Sequence, residues 1–171
     1  MDNVWREVIF KIPIVDNINE FLLTKFLLTY QSQIDPLDKF PFIFAYEFPL
    51  HPEMTNVGKI DLILVDPNEK SLHFLIVEIK YLQTKSGKTS RTSRTKKRRK
   101  VEEQADLYTK QFALLFPNAQ INAVYFTNEN IYSRKRLSHL YEEYIKAEWE
   151  KIYSSYPILK GNIMVNVESQ D

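Results

Sequence analysis

The sequence predicts an α/β domain in which a mixed central sheet is flanked by helices on both sides, with an extra helix at its C-terminal end. Three observations carry this expectation. Three strand-like runs follow one another between residues 42 and 82. Helical periodicity precedes them and returns twice after them, with a fourth strand between the two later helices. Two of the runs are apolar on both faces, as expected of central strands covered on each side. The 171 residues fit one domain, 1–171, long enough to bury a core, and no linker interrupts them. With 44% hydrophobic and 13% aromatic residues, the composition is that of a globular chain and not of a disordered one.

The elements follow in order. VIFKIPI, near the start, is a short apolar segment. From about Asn17 to Gln31, Ile18, Phe21, Leu22, Phe26 and Leu28 recur at helical spacing, and Asn17 with Glu20 three residues on predicts a capping box. FIFAYEFPL (42–50), bounded by Pro41 and Pro49, is the first strand. KIDLILV (59–65), entered through Gly58, is the second. LHFLIVEIKYL (72–82), reached through the turn Asp66-Pro67-Asn68-Glu69-Lys70, is the third. From about 84 to 99 the chain is Ser, Thr and basic residues with no apolar position, including a Ser-Arg-Thr repeat at 90–95, which predicts a flexible loop. A second helix is predicted from about Lys100 to Phe116, stopping near Pro117, and INAVYFTN (121–128) is the fourth strand. An amphipathic helix from about Ser133 to Tyr153 aligns Leu137, Leu140, Tyr144, Ile145, Trp149 and Ile152, and NIMVNV (162–167) is read as one more short strand.

The absence of cysteine excludes a disulfide framework and a Cys-based zinc site. MDNVWREVIF lacks the basic-then-apolar layout of a signal peptide, and no apolar run reaches the length of a membrane span. A soluble, intracellular protein with no membrane partner is therefore expected. The net charge of +1 conceals an asymmetry. Nine of the 23 basic residues fall between Lys85 and Lys100 with no acidic residue among them, leaving 14 basic against 22 acidic elsewhere. Such a concentration points to a polyanionic partner, with a solvated loop as the alternative.

Ionisable residues inside apolar strands are the informative anomaly: Asp61 in KIDLIL, Glu78 and Lys80 in LIVEIKYL. An unpartnered buried carboxylate costs several kcal/mol, so such groups are paired, metal-bound or functional. A hairpin turn centred near residues 68–70 sets Asp61 opposite Glu78, with Cβ atoms roughly 4.5–5.5 Å apart. Glu78 and Lys80, two apart, share a face. A connection centred near residues 54–55 sets Glu47 nearly opposite Asp61 as well. Clustered carboxylates repel unless a cation neutralises them, and oxygen ligands select hard cations such as Mg²⁺ or Mn²⁺. A nearby lysine can orient a water or stabilise a phosphoryl transition state. These parts suit metal-assisted phosphodiester hydrolysis; the alternative is an ion pair between Lys80 and one of the acids at a strand end.

GKIDLILV, a hairpin and FLIVEIKY, in an α-β-β-β-α-β order, resemble the PD-(D/E)xK nuclease superfamily, with Ile60 in place of the motif's proline. Gln104-Ala-Asp-Leu-Tyr108 on the following helix is similar to the Q-x-x-x-Y motif of RecB-type nucleases, and Gln104 and Tyr108 lie one helical turn apart. The resemblance covers roughly residues 17–128. It implies a restriction-endonuclease-like fold and a DNA-cleaving enzyme, an endonuclease in preference to an exonuclease, using in-line attack of a metal-activated water. It implies Asp61 and Glu78 as ligands of Mg²⁺ or Mn²⁺, the Ile79 carbonyl as a further ligand, and Lys80 positioning the attacking water. Gln104 and Tyr108 would support the site or touch the phosphate backbone. Glu47 and Glu20 compete for the role of additional acid. Glu47 is preferred, because strand pairing sets it beside Asp61 and capping accounts for Glu20. His51, His73 and His139 are read as incidental. The basic segment, with Lys88, Arg91, Arg94, Lys96, Lys97, Arg98, Arg99 and Lys100, would hang near the site and bind phosphates of DNA, with RNA as the alternative polyanion. Lys96–Lys100 also resembles a nuclear localisation signal, which has meaning only in a eukaryotic or viral host. Members of the superfamily often act as dimers; the C-terminal helix suits a homodimer contact or packing on the sheet equally. A catalytically silent nucleic-acid-binding module on the same fold is the second reading, and an α/β domain with purely structural charges the third.

Overall fold

The computed structural model describes residues 4–12, 17–50, 58–67, 72–83 and 88–155, the side chains of 88–91 excepted. The segment 162–167 and His51 lie outside the described residues. Four strands, β1 (Phe42–Pro49), β2 (Lys59–Asp66), β3 (His73–Lys80) and β4 (Gln120–Thr127), form one sheet in the order β1-β2-β3-β4. β1–β2 and β2–β3 are antiparallel, while β3–β4 is parallel, so the sheet is mixed as expected. A parallel neighbour demands a long crossover, supplied by helix α3 (Lys88–Leu115). Helices α1 (Val4–Lys11) and α2 (Ile18–Thr29) precede the sheet; α4 (Asn128–Tyr132) and α5 (Lys135–Ser155) follow it. The chain divides into two compact units, Met1–Asn130 and Ile131–Asp171. The first contains the whole sheet. The second contains α5, where Trp149 and Tyr153 stack with ring centroids 5.5 Å apart.

Three features depart from the sequence reading. Of VIFKIPI (8–14), read only as an apolar segment, residues 8–11 belong to a helix that starts at Val4 and is too short for its periodicity to stand out; its Arg6 donates to the Leu28 carbonyl and to the Gln31 side chain. The capping box at Asn17 is not formed: the Asn17 side chain makes no cap hydrogen bond, and Glu20 is engaged elsewhere. Most consequential, the described part of the predicted loop is not a loop, residues 84–87 lying outside the described residues. From Lys88 onward it is helix, continuous with the helix expected from Lys100. Between Lys88 and Leu115 there is no Gly or Pro, and Lys and Arg are good helix formers. The buried half of α3 (Val101, Ala105, Tyr108, Phe112) anchors a helix that extends N-terminally at the cost of one residue's entropy per hydrogen bond.

The central strands are buried on both faces, as their apolar runs require: Ile63, Val65, Phe74 and Ile76 on one side, and Leu62, Leu64, Leu75 and Val77 on the other. The first set packs against α3 through a phenylalanine cluster, with Phe44–Phe74 at 5.0 Å, Phe74–Phe112 at 5.2 Å and Phe112–Phe116 at 4.8 Å between centroids. Helix α2 is buried almost all round, from Phe21 to Leu28, and even Lys25 lies under cover with its ammonium 4.6 Å from the Phe21 ring centre. A helix apolar on every side belongs in an interior.

One close approach ties α3 to the start of β2. A Cβ on Gly58 would stand 1.8 Å from the Tyr108 hydroxyl oxygen and 2.8 Å from Cζ, so only glycine lets the tyrosine sit there. Gly58→Ala is expected to destabilise the protein by about 1–3 kcal/mol through overpacking. The cost should nearly vanish when Tyr108→Ala is already present, giving a strongly non-additive double-mutant cycle in chemical denaturation.

Candidate active site

Asp61 and Glu78 sit where the β2–β3 ladder ends. Regular pairing runs from Asp66↔His73 to Leu62↔Val77; past its end Asp61 and Glu78 meet, as the hairpin led one to expect, through side-chain hydrogen bonds in place of the ladder. There the carboxylates take over from backbone carbonyls. The Ile79 N–H donates to Asp61 Oδ2 at 2.8 Å, and the Asp61 N–H donates to Glu78 Oε1 at 3.4 Å. Each acid thus accepts a hydrogen bond from the backbone of the opposite strand. Glu78 is 3% exposed.

Burial dominates the electrostatics of the pair. Loss of hydration pushes the Asp61 carboxyl up to about 7; Glu20 and Glu47 add to the rise, and the Ile79 N–H and Lys80 oppose it. Glu78 is pushed up to about 8, again by burial first and then by Asp61. Two acids this close share a deficit of positive charge that a bound cation would remove.

Lys80 leans on Glu20 of α2, with Nζ 2.9 Å from Oε2, and the same carboxylate accepts the Tyr81 N–H at 3.1 Å. The bland expectation of a Lys80 ion pair at a strand end is therefore met in part, with Glu20 as the partner. Glu47 falls between the pairs Tyr46↔Leu62 and Phe48↔Ile60, hence across from Asp61. Its backbone is left-handed, φ 53°, and its side chain meets Lys59 at 3.2 Å. Asn17, Glu20, Tyr46, Glu47, Asp61 and Ile79 line one pocket. Beside it the Tyr46 hydroxyl is pushed up to about 12, by burial and then by Glu47, Asp61 and Glu20. Among the described residues no group of three or more His, Cys, Asp or Glu converges closely enough to hold a metal. What stands ready is a pair, Asp61 and Glu78, with Glu20 and Glu47 each occupied by a lysine.

Gln104 and Tyr108 are joined to each other, Gln104 Nε2 donating to the Tyr108 hydroxyl at 3.2 Å. Burial raises the Tyr108 hydroxyl, with Glu78 and Asp61 adding to the rise. The basic residues divide. Arg94 and Arg98 both reach Glu129, at 3.3 and 3.4 Å, and Arg99 pairs with Glu103 at 2.8 Å. Lys96, Lys97 and Lys100 are exposed on the same helix, and Lys88 and Arg91 are placed by backbone alone. His73 lies 3.1 Å from the Asn122 amide, at the other end of β3 from Glu78, and His139 lies 3.5 Å from Glu143 along α5.

Two residues gain roles that the sequence reading did not assign. Glu20 was weighed as an acid, but its grip on Lys80 and Tyr81 depends on how α2 meets β3. Asn128, fully buried at the end of β4, accepts the Leu82 N–H at 2.8 Å and donates to the Leu82 carbonyl at 3.0 Å. It continues the β3–β4 pairing with a side chain and holds the chain just beyond Lys80. No local pattern announces such a bond.

In EDTA, stability should fall as pH rises from about 4, the ordinary carboxylate value, through 7 and 8. The native acids retain protons that the unfolded chain has already released, so the native state binds more protons and loses ground with rising pH. Glu78→Gln should flatten that slope in thermal melts; a slope equal to the wild type's would show that Glu78 does not retain its proton in the native state. In comparisons with known proteins, no family model, no curated protein and no solved structure matches this chain.

Proposed function

We propose that this chain is a metal-dependent nuclease on a restriction-endonuclease-like fold, hydrolysing DNA phosphodiester bonds. The observation that carries the reading is the Asp61–Glu78 pair. A buried Glu78 and a half-buried Asp61 lie side by side, each accepting a backbone N–H and left short of positive charge, at the end of a hairpin that also presents Lys80. The α-β-β-β-α-β order, with the Gln104/Tyr108 helix after the third strand, supports it.

The donor chemistry fits a hard divalent cation. Asp61 and Glu78 would hold Mg²⁺ or Mn²⁺, with the Ile79 carbonyl and Glu47 as further oxygen ligands if Glu47 turns from Lys59. When bound, such an ion supplies Lewis-acid polarisation of the phosphate and a more acidic water. The chain's own residues do the rest. Lys80 holds and orients the attacking water and offsets charge on the phosphate, while Glu20 and Asn128 fix the strand end that presents it. Tyr108, held by Gln104, closes the side of the site next to Gly58 and supports the orientation of the backbone being cut.

The Lys80–Glu20 ion pair favours a second reading, a nucleic-acid-binding module without turnover, because it engages the lysine that catalysis needs. The two separate in one assay: incubation with single-stranded, duplex and branched DNA in Mg²⁺, Mn²⁺ or EDTA. Cleavage is expected with metal only, and Asp61→Asn or Lys80→Ala should lower its rate by about 10²-fold or more. Cleavage that survives either substitution removes these residues from the reaction; binding without cleavage in both metals selects the silent module.

A further inference from the structure

Because the basic run is helical, its residues are sorted by phase. At 3.6 residues per turn, Arg94 and Arg98 continue the stripe of Val101, Ala105 and Phe112, which is the buried side of α3. Both arginines are tied to Glu129 at the start of α4, and Arg94 also reaches the Gln83 carbonyl at 3.5 Å, just past the end of β3. A different stripe carries Lys97, Lys100 and Gln104. Lys97 and Lys100 are exposed and have no ion-pair or hydrogen-bond partner among the described residues. Lys100 stands one turn before Gln104, whose amide holds Tyr108 against Gly58, and Gly58 opens the strand that bears Asp61.

We propose that Lys97 and Lys100 form a phosphate track along the open edge of α3, leading a DNA strand toward Gln104 and the acidic pair, while Arg94 and Arg98 anchor the helix and bind no DNA. The destination of the track rests on the nuclease reading; the track itself does not. Two ammonium groups on successive turns neutralise successive backbone charges without reading sequence. The arginines cannot serve the same strand without abandoning Glu129 and the end of β3. A single basic run therefore has two jobs, set by which side of the helix each residue occupies.

The test is fluorescence anisotropy with labelled single-stranded and duplex DNA oligonucleotides, in EDTA, over a series of KCl concentrations. For Lys97→Ala/Lys100→Ala the slope of log affinity against log salt should fall by about one per lysine. Lys97→Arg/Lys100→Arg should retain it. Arg94→Ala/Arg98→Ala should keep the wild-type slope and lower the melting temperature, with Arg98→Ala alone as the milder variant. An unchanged slope in the lysine variant, a fall in the arginine variants equal to that in the lysines, or no salt-dependent binding by the wild type overturns the proposal. Cleavage in Mg²⁺ is scored separately. A wild type that binds with the expected slope and never cuts defeats the nuclease reading while the track stands; one that cuts while the lysine variant keeps its slope does the reverse.

Discussion

The two backbone hydrogen bonds that hold the Asp61 and Glu78 carboxylates, one from Ile79 and one from Asp61 itself, are the interaction on which the rest of the candidate site depends. At this step of the hairpin the ladder is completed by side chains: the Ile79 N–H goes to Asp61, and the Asp61 N–H goes to Glu78. Two acids are thereby held together at a place where burial and mutual repulsion both oppose their ionisation. The core below them holds this arrangement. Ile63, Val65, Phe74 and Ile76 fix the register, and a slip of one residue would send both acids to the opposite face. Under the proposed function, such a pair on the hairpin would be the part of the site preorganised for a cation.

Around that pair, the end of β3 is secured from several directions. Glu20 reaches across from α2 to take Lys80 and the Tyr81 N–H, and Asn128 takes both backbone groups of Leu82. Strand ends usually fray, but here four consecutive residues, Ile79 to Leu82, are each held by a side chain from another element. The edge strand β1 behaves differently. Its register shifts between Ile43 and Ala45, and Glu47 adopts a left-handed backbone, which costs a non-glycine residue about 1–2 kcal/mol. Glu47 is therefore the more adjustable of the two flanking acids, while Glu20 is committed to shaping β3.

The basic run shows how a helix changes the meaning of a charge cluster. In an extended loop all its cations would be equivalent. Wound into α3, Arg94 and Arg98 become struts to Glu129, Arg99 pairs along the helix with Glu103, and Lys97 and Lys100 face outward in line with Gln104.

By itself the sequence determined the order of the four strands and of the helices α2, α3 and α5 among them, the mixed sheet, and the meeting of Asp61 with Glu78, while the short helices α1 and α4 escaped it. Each follows from local information: period-two and period-3.6 apolar patterns, a turn of defined centre, and ionisable residues inside apolar strands. The pairing of Gln104 with Tyr108 was equally legible, because residues four apart on a helix must meet. What only the tertiary structure decided involves partners distant in the chain. Glu20 lies 60 residues from Lys80, and Asn128 lies 46 from Leu82. Glu20 has the form of a capping residue until α2 meets β3. The segment after Lys88 has the composition of a loop until burial of Val101, Ala105 and Phe112 commits the helix and Glu129 receives its arginines. Local patterns specify which residues can be neighbours within one element. Which side chain satisfies a buried backbone group or a charge across elements is settled only when those elements pack.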